Sequence, residues 1–470
     1  MAAIITDQFR IINANNFMED VTAGNNSYYA FLGLANPTYA GFGRTDTWNS
    51  TTLQPPSPTD SIQYNNHVYD TMLFGRKVFP GDVRRLVKKI TWTKGTSYDM
   101  YRHDYNTNNR SLVSNSSRLY SSNYYVMNRD YRIYICINNG SAGISSIASA
   151  SLDEPTFTDL EPSAAGVSGD GYLWKYLFTV PPADIVKFDS TEYIAVPNEW
   201  STSTNNDISV VRDNGDSDTN NNQIKVVSID ETGTGYSFLS SPIEVDIIGD
   251  GSGGKVRILT NTNGQVISAQ VTNGGKGYSY GRVDLSSING SATKFSRLTP
   301  IIPPSKGHGF DLYKELGTDK VLIYTRFDAS SYDFASDTIF AQVGLIRNPT
   351  AIGAAGTNFL QTSEFSALKA FKFTGDVSQV LGVGTAITQN ISGVGTARGY
   401  VASYDIDTKV IKYFQDQSLV FNQSTFDNTD SVNVAGQAPV LEFQSTADAV
   451  TSTSFSVNVD QTKEGVAEPV

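Results

Sequence analysis

Apolar and polar residues alternate with a period of two through much of this chain, in short runs. Tyr131–Ile137, Ile224–Ile229, Ile243–Ile248, Lys255–Leu259, Val266–Val271, Lys320–Phe327 and Lys409–Phe414 are rich in β-branched and aromatic residues. Gly, Asn, Asp and Pro cut the pattern between them. Side chains alternate between the two faces of a strand, so this period predicts strands joined by turns. Helical spacing is rare. Val83–Ile90 reads as a helix opened by Asp82, Asp311–Leu316 as one opened by Asp311, and Ser363–Lys372 as a third. The predicted class is mainly β, a β-sandwich-like multi-domain chain with a few short helices.

Shifts in composition mark boundaries. Residues 1–86 and 300–372 read as the first and final parts of a core β domain, with a Tyr/Asn/Ser-rich inserted domain at 87–168 following the first. Residues 169–222 form a sharply patterned core segment followed by a polar acidic loop. Residues 223–299 are an inserted Gly-rich β module, and 373–470 a small C-terminal β domain with a tail. The stretch from about 448 onward is Ser/Thr-rich and then charged, which predicts fraying or docking on a neighbour. Two repeats stand out. Gly233-Thr-Gly235-Tyr236 returns as Gly275-Lys-Gly277-Tyr278, each after a strand. Glycine permits the positive-φ turn, and the tyrosine ring can cover the backbone that the glycines leave bare. Gly382-Val-Gly-Thr-Ala386 returns as Gly393-Val-Gly-Thr-Ala397, which fits successive strand-turn units of a small barrel or sandwich.

Composition narrows the function. The net charge is −12, which argues against a chain built mainly to grip nucleic acid. With 25 Tyr and 24 Phe it is too aromatic for a long disordered chain. The single cysteine, Cys136, excludes an intrachain disulfide and a Cys-rich zinc site, and its apolar neighbours suggest a buried position. The first twenty residues lack the pattern of a secretion signal, and no apolar run is long enough to span a bilayer. The expectation is a soluble protein made and kept in a cytoplasm-like compartment, or released without the secretory route.

Motifs for catalysis are weak. Gly249-Asp-Gly251-Ser-Gly-Gly254 matches a dinucleotide fingerprint but precedes a strand where a helix is needed, so a hairpin turn is expected. Asp216-Ser-Asp218-Thr-Asn220 begins like a calcium loop but continues with Asn221 and Val227 where Gly and Glu belong. His308, in a Lys-Gly-His-Gly turn, reads as a loop or packing histidine. No catalytic, cofactor-binding or metal-binding residue is assigned, and no cofactor is implied. Arg84, Arg85, Lys88 and Lys89 form a basic cluster, placed on one face by the helical reading and a candidate contact for an acidic partner.

Three blocks carry a family likeness. One is Phe42-Gly43-Arg44-Thr-Asp-Thr-Trp48 with Pro55-Pro56-Ser-Pro58-Thr59-Asp60. Another is Gly169-Asp170-Gly171-Tyr172-Leu-Trp174-Lys-Tyr176-Leu-Phe178, then Pro181-Pro182, then Glu192-Tyr193-Ile-Ala-Val-Pro197. The third is Phe340–Pro349. In this order they resemble the gene 8 baseplate wedge family of T4-like contractile-tailed phages. The physical reading of these residues is fold stability: Tyr172, Trp174, Tyr176 and Phe178 fall on one strand face, and Pro181-Pro182 ends the strand.

The resemblance implies a virion structural protein of the tail baseplate, assembled in the host cytoplasm. It implies a homodimer that contacts other wedge proteins, with neither nucleic acid nor membrane as partner. Its action would be mechanical, holding neighbouring wedge proteins together and rearranging with the baseplate. The rival reading is a receptor- or glycan-binding tail fibre or adhesin, which the β-rich, Tyr/Asn/Gly-rich composition also fits. An enzyme would need a cleft with paired carboxylates, to which no motif points.

Overall fold

The computed structural model describes residues 6–33, 72–140, 149–215, 223–288, 292–327, 342–350, 358–366, 368–375, 377, 381, 385–414, 443–445, 448–452 and 456–463. Along the chain run α1 (Asp7–Ala23), β1 (Tyr28–Gly33), β2 (Met72–Lys77), β3 (Val83–Lys88), β4 (Tyr125–Met127), β5 (Arg132–Asn139), β6 (Tyr172–Thr179), α2 (Pro182–Phe188), β7 (Tyr193–Val196) and α3 (Asn206–Gly215). Then come β8 (Val227–Glu231), β9 (Ile243–Gly249), β10 (Ser252–Thr260), β11 (Val266–Lys276), β12 (Gly281–Val283), β13 (Arg297–Pro300), α4 (Leu312–Leu316) and β14 (Lys320–Ile323). The last strands are β15 (Gln342–Arg347), β16 (Glu364–Ser366), β17 (Lys369–Phe373), β18 (Ala386–Ile391), β19 (Gly395–Asp405), β20 (Val410–Phe414), β21 (Ala449–Thr451) and β22 (Ser456–Lys463). The class is mainly β, as the alternation predicts. Two compact units divide the chain: Met1–Met18 with Arg84–Leu322, and Glu19–Val83 with Ile323–Val470.

The first unit holds two hydrophobic cores. In one, antiparallel β4, β5 and β6 pack with the loops around them, burying Tyr124, Tyr134, Cys136, Tyr172, Trp174 and Trp200. In the other, the sheet β11-β10-β9-β12 and the pair β13-β8 enclose Ile224, Val256, Ile258, Val266, Tyr236 and Tyr278. A third small sheet, β14-β3-β7, seats Leu86 against Phe188 and Ala195.

The second unit contains the sheet β15-β1-β2-β16 and a closed six-stranded barrel, β17-β20-β19-β18-β21-β22. In the open sheet, Phe31 lies opposite Gly344 and Phe365 opposite Gly75. A Cβ built on Gly75 would sit 2.2 Å from the Phe365 ring, and one on Gly344 2.4 Å from the Phe31 ring. The bare glycines make room for rings lying across the strands. The barrel buries Phe371, Phe373, Ile387, Val401, Ile411 and Val450.

Several expectations need correction. Val83–Ile90 is not a helix: β3 pairs with β7 with Leu86 opposite Ala195 and Val87 opposite Ile194. Pairing between β-branched strands outweighs the charge spacing that suggested a helix. Asp82 closes a 3-10 turn, Pro80–Asp82, before that strand. Ser363–Lys372 forms β16 and β17 instead of a helix. The tail from 448 does not fray throughout, because β21 and β22 complete the barrel.

Conversely, α1 escapes the sequence reading. Its buried stripe, Ile11, Ala14, Met18 and Val21, follows helical spacing, but Asn and exposed Phe9 and Ile12 blur the contrast. The short α4 matches its prediction. Asp311 Oδ1 accepts the Lys314 N–H at 3.1 Å as N-cap, and Gly317 ends the helix at φ 70°.

Candidate functional site

The second resemblance block folds into β6 and its flanks. Gly169 and Gly171 take positive φ, 66° and 86°. A Cβ on Gly171 would lie 2.8 Å from the Gly140 Cα, so two backbones touch there. Asp170 between them accepts the Leu152 N–H at 2.8 Å and the Tyr172 N–H at 3.0 Å, tying a distant loop to the strand start. Tyr172 stacks on Trp174 at 5.3 Å. The Tyr172 hydroxyl accepts the Tyr98 N–H at 2.9 Å and donates to the Ser149 carbonyl at 2.7 Å.

Register shifts on pairing with β5 place Tyr176 opposite Tyr134 and Phe178 opposite Ile133. Lys175 and Leu177, between the aromatics, are buried too, so both faces of this strand are core. Trp174 Nε1 is buried without a hydrogen-bond partner. Pro181 and Pro182 end the strand and also start α2, with Pro181 at the N-cap position. Tyr193 pairs with Lys88 in the β3–β7 ladder, and the Pro197 carbonyl accepts the Tyr313 hydroxyl at 2.8 Å. The other block, Phe42, Gly43, Arg44, Trp48, Pro55, Pro56, Pro58, Thr59 and Asp60, lies outside the described residues, as does Asp216–Asn220.

The basic cluster does not share one face. Arg84 binds the Asp184 carboxylate at 3.0 Å and lies over the Phe188 ring. Arg85 points the other way, 5% exposed, donating to Asn15 Oδ1 at 2.8 Å with its guanidinium 4.0 Å from the Tyr313 ring centre. Lys89 binds Asp189 at 2.7 Å, and Lys88 reaches Asn123 Oδ1 at 3.5 Å. These cations brace β3 against α1, α2 and the loops.

Both tyrosines of the first repeat act as the sequence suggests. Gly233, Gly235, Gly275 and Gly277 all have positive φ. The Tyr278 hydroxyl accepts the Gly254 N–H at 3.1 Å and donates to the Ile247 carbonyl at 2.9 Å. The Tyr236 hydroxyl accepts the Ser296 N–H at 2.8 Å. Gly249–Gly254 is the β9–β10 hairpin.

Polar groups that spacing cannot find are also drawn together. Arg102 bridges Asp104 at 2.8 Å and Asp230 at 3.0 Å, linking the two cores of the first unit. Burial would raise the Asp230 carboxyl, but hydrogen bonds from Arg102 and Thr299 hold it below the usual carboxylate range. His308 Nδ1 meets Glu315 Oε1 at 2.5 Å, and the other Glu315 oxygen accepts the Gly309 N–H at 2.6 Å. The Tyr101 ring stands edge-on to the His308 ring at 4.8 Å. Cys136 is fully buried, which raises its thiol well above the usual range. Among the described residues no group of three His, Cys, Asp or Glu could hold a metal ion, and no helix is long and apolar enough to cross a membrane.

These contacts define a class: a mainly β protein of several packed modules whose buried polar groups brace its own backbone. The comparison with known proteins is more particular. The chain is similar to the baseplate wedge protein gp8 of Enterobacteria phage T4, with 28% identity over 216 residues, 42% of this chain and 60% of that protein. It thus spans less than two thirds of that relative's length, and the wedge-family resemblance read from the residues is supported to this extent. No protein-family model matches the chain.

Proposed function

We propose that this chain is a structural subunit of the baseplate wedge of a contractile phage tail. It holds neighbouring wedge proteins together and moves with them when the baseplate rearranges, without catalytic activity of its own. Its partners are other wedge proteins and a second copy of itself, and its place is the tail baseplate of the virion after assembly in the host cytoplasm. The observation that carries this reading is the 28% identity to a baseplate wedge protein over 216 residues. The internal bracing of β3, β6 and α2 supports it, because a subunit that transmits force gains from a backbone tied at many points.

The test joins two measurements on the full chain. Light scattering during gel filtration over a range of concentrations is expected to give a dimer, or a monomer that pairs on concentration. A tagged chain is expected to capture other tail proteins of the same phage from an infected-cell extract. A stable trimer that captures none of them would overturn the proposal in favour of a fibre or adhesin.

A further inference from the structure

Lys175 lies in the middle of β6 and is 1% exposed. Its Nζ donates to the backbone carbonyl of Leu160. The Glu161 carboxylate, next along the chain, is bound by Lys225 at 2.6 Å. Burying an ammonium without its own anion is costly. Burial pushes this amine down to about 8, the Lys225 charge adds to the fall, and Glu161 and Glu315 oppose it. Some of the amine is therefore neutral near neutral pH, and a neutral buried lysine is a nucleophile.

The same Leu160 carbonyl accepts a second N–H, from Nδ2 of Asn214 in α3, at 2.9 Å. One backbone oxygen thus gathers an amine and a carboxamide. Asn214 Nδ2 also donates to Glu161 Oε1 at 3.1 Å, so a carboxylate touches the group that would have to leave. Lys225 holds the other oxygen of that carboxylate.

We propose that Lys175 and Asn214 condense into an intrachain isopeptide bond, with Glu161 carrying the proton. The neutral Nζ turns from the Leu160 carbonyl and attacks Cγ of Asn214. Glu161 takes a proton from the attacking nitrogen and gives it to Nδ2. The Cγ–Nδ2 bond breaks, ammonia leaves, and an Nζ–Cγ amide remains. Neither oxidant nor cofactor is needed, and one ammonia is lost per chain. The product joins β6 covalently to α3.

Mass spectrometry of the intact, denatured full chain tests this directly. The expected mass is that of the sequence less one ammonia. Mass alone does not decide, because Asn214 precedes Gly215 and an Asn-Gly pair can cyclise to an imide with the same loss. Tryptic peptides separate the two: the isopeptide abolishes cleavage after Lys175 and gives one branched peptide containing both residues. Asn214→Ala and Lys175→Met are expected to retain the full calculated mass of their sequences. Glu161→Gln is expected to show at least a tenfold smaller cross-linked fraction while folding normally by circular dichroism. A wild-type chain at full mass, or a linear imide peptide at Asn214 with normal cleavage after Lys175, overturns the bond. Undiminished cross-linking in Glu161→Gln overturns the role given to that carboxylate.

Discussion

The core around β5 and β6 and the core of the C-terminal barrel both rely on aromatic rings, but on different ones. Around β6 the rings are largely tyrosines, and their hydroxyls reach into loops. Tyr124 donates to the Glu315 carbonyl at 2.6 Å, Tyr125 to Lys88 at 2.7 Å and Tyr134 to Phe157 at 2.6 Å. In the barrel, Phe371, Phe373 and Phe443 cluster with Tyr413, with the Phe371 and Tyr413 rings 5.1 Å apart. The difference follows the backbone. Barrel strands satisfy most of their own N–H and C=O groups through the ladder, so plain hydrocarbon can fill the middle. Long irregular segments leave carbonyls without a ladder partner, and a tyrosine supplies apolar bulk and a donor together.

Alkali is expected to break this comparison most strongly. Burial pushes Tyr120 and Tyr134 up to about 12, and Tyr124 well above its ordinary value. An unfolded tyrosine loses its proton near pH ~10. Between there and about 12 the folded chain holds more protons than the unfolded one, so stability falls as pH rises. Hydrogen exchange read by region should show the β4–β6 core losing protection before the barrel. Earlier loss in the barrel would contradict the account.

A cavity probes the hydrocarbon core. Phe371→Ala should cost ~4 kcal/mol, read as lowered protection confined to the barrel strands. Removing a charged tie probes the other region. Arg102→Met takes the shared cation from Asp104 and Asp230, leaving Asp230 with the exposed Arg297 at 3.5 Å, and should cost ~3 kcal/mol in the first unit. Both carboxyls are held below their usual range, so their contribution is present above pH ~4 and is lost as pH falls through their folded values. The variant should therefore lose less stability than the wild type on acidification, measured by denaturant titration. The smallest effect is the most specific. Tyr124→Phe deletes one oxygen, leaves the Glu315 carbonyl short of a donor, and should cost ~2 kcal/mol.

Local pattern made the ladders readable. β5, β9, β10, β11 and β20 all fall where β-branched and aromatic residues alternate, and the GxGY glycines announced their positive φ. The basic run at 84–89 misled because its spacing suits a helix face, whereas its strand state depends on β7, more than a hundred residues away. α3 was hidden in a stretch that composition marks as polar loop, and α2 behind a proline pair that ends one element and begins another. The Leu160, Lys175 and Asn214 cluster could not be read from spacing. It joins three separate segments through a backbone oxygen, and a sequence does not show which carbonyl two side chains will share.

The pairing of β8 with β13 has a further consequence. Val227 lies opposite Pro300, and the Ile301 N–H bonds the Val226 carbonyl at 2.9 Å, so the chain departs and returns through a single doorway. Everything between those strands can lengthen, shrink or be exchanged without moving the two points where it joins the rest. In the barrel, too, the first strand lies beside the last, with Ala370 opposite Lys463. A module held by two adjacent strands keeps its ends together whatever its length in between.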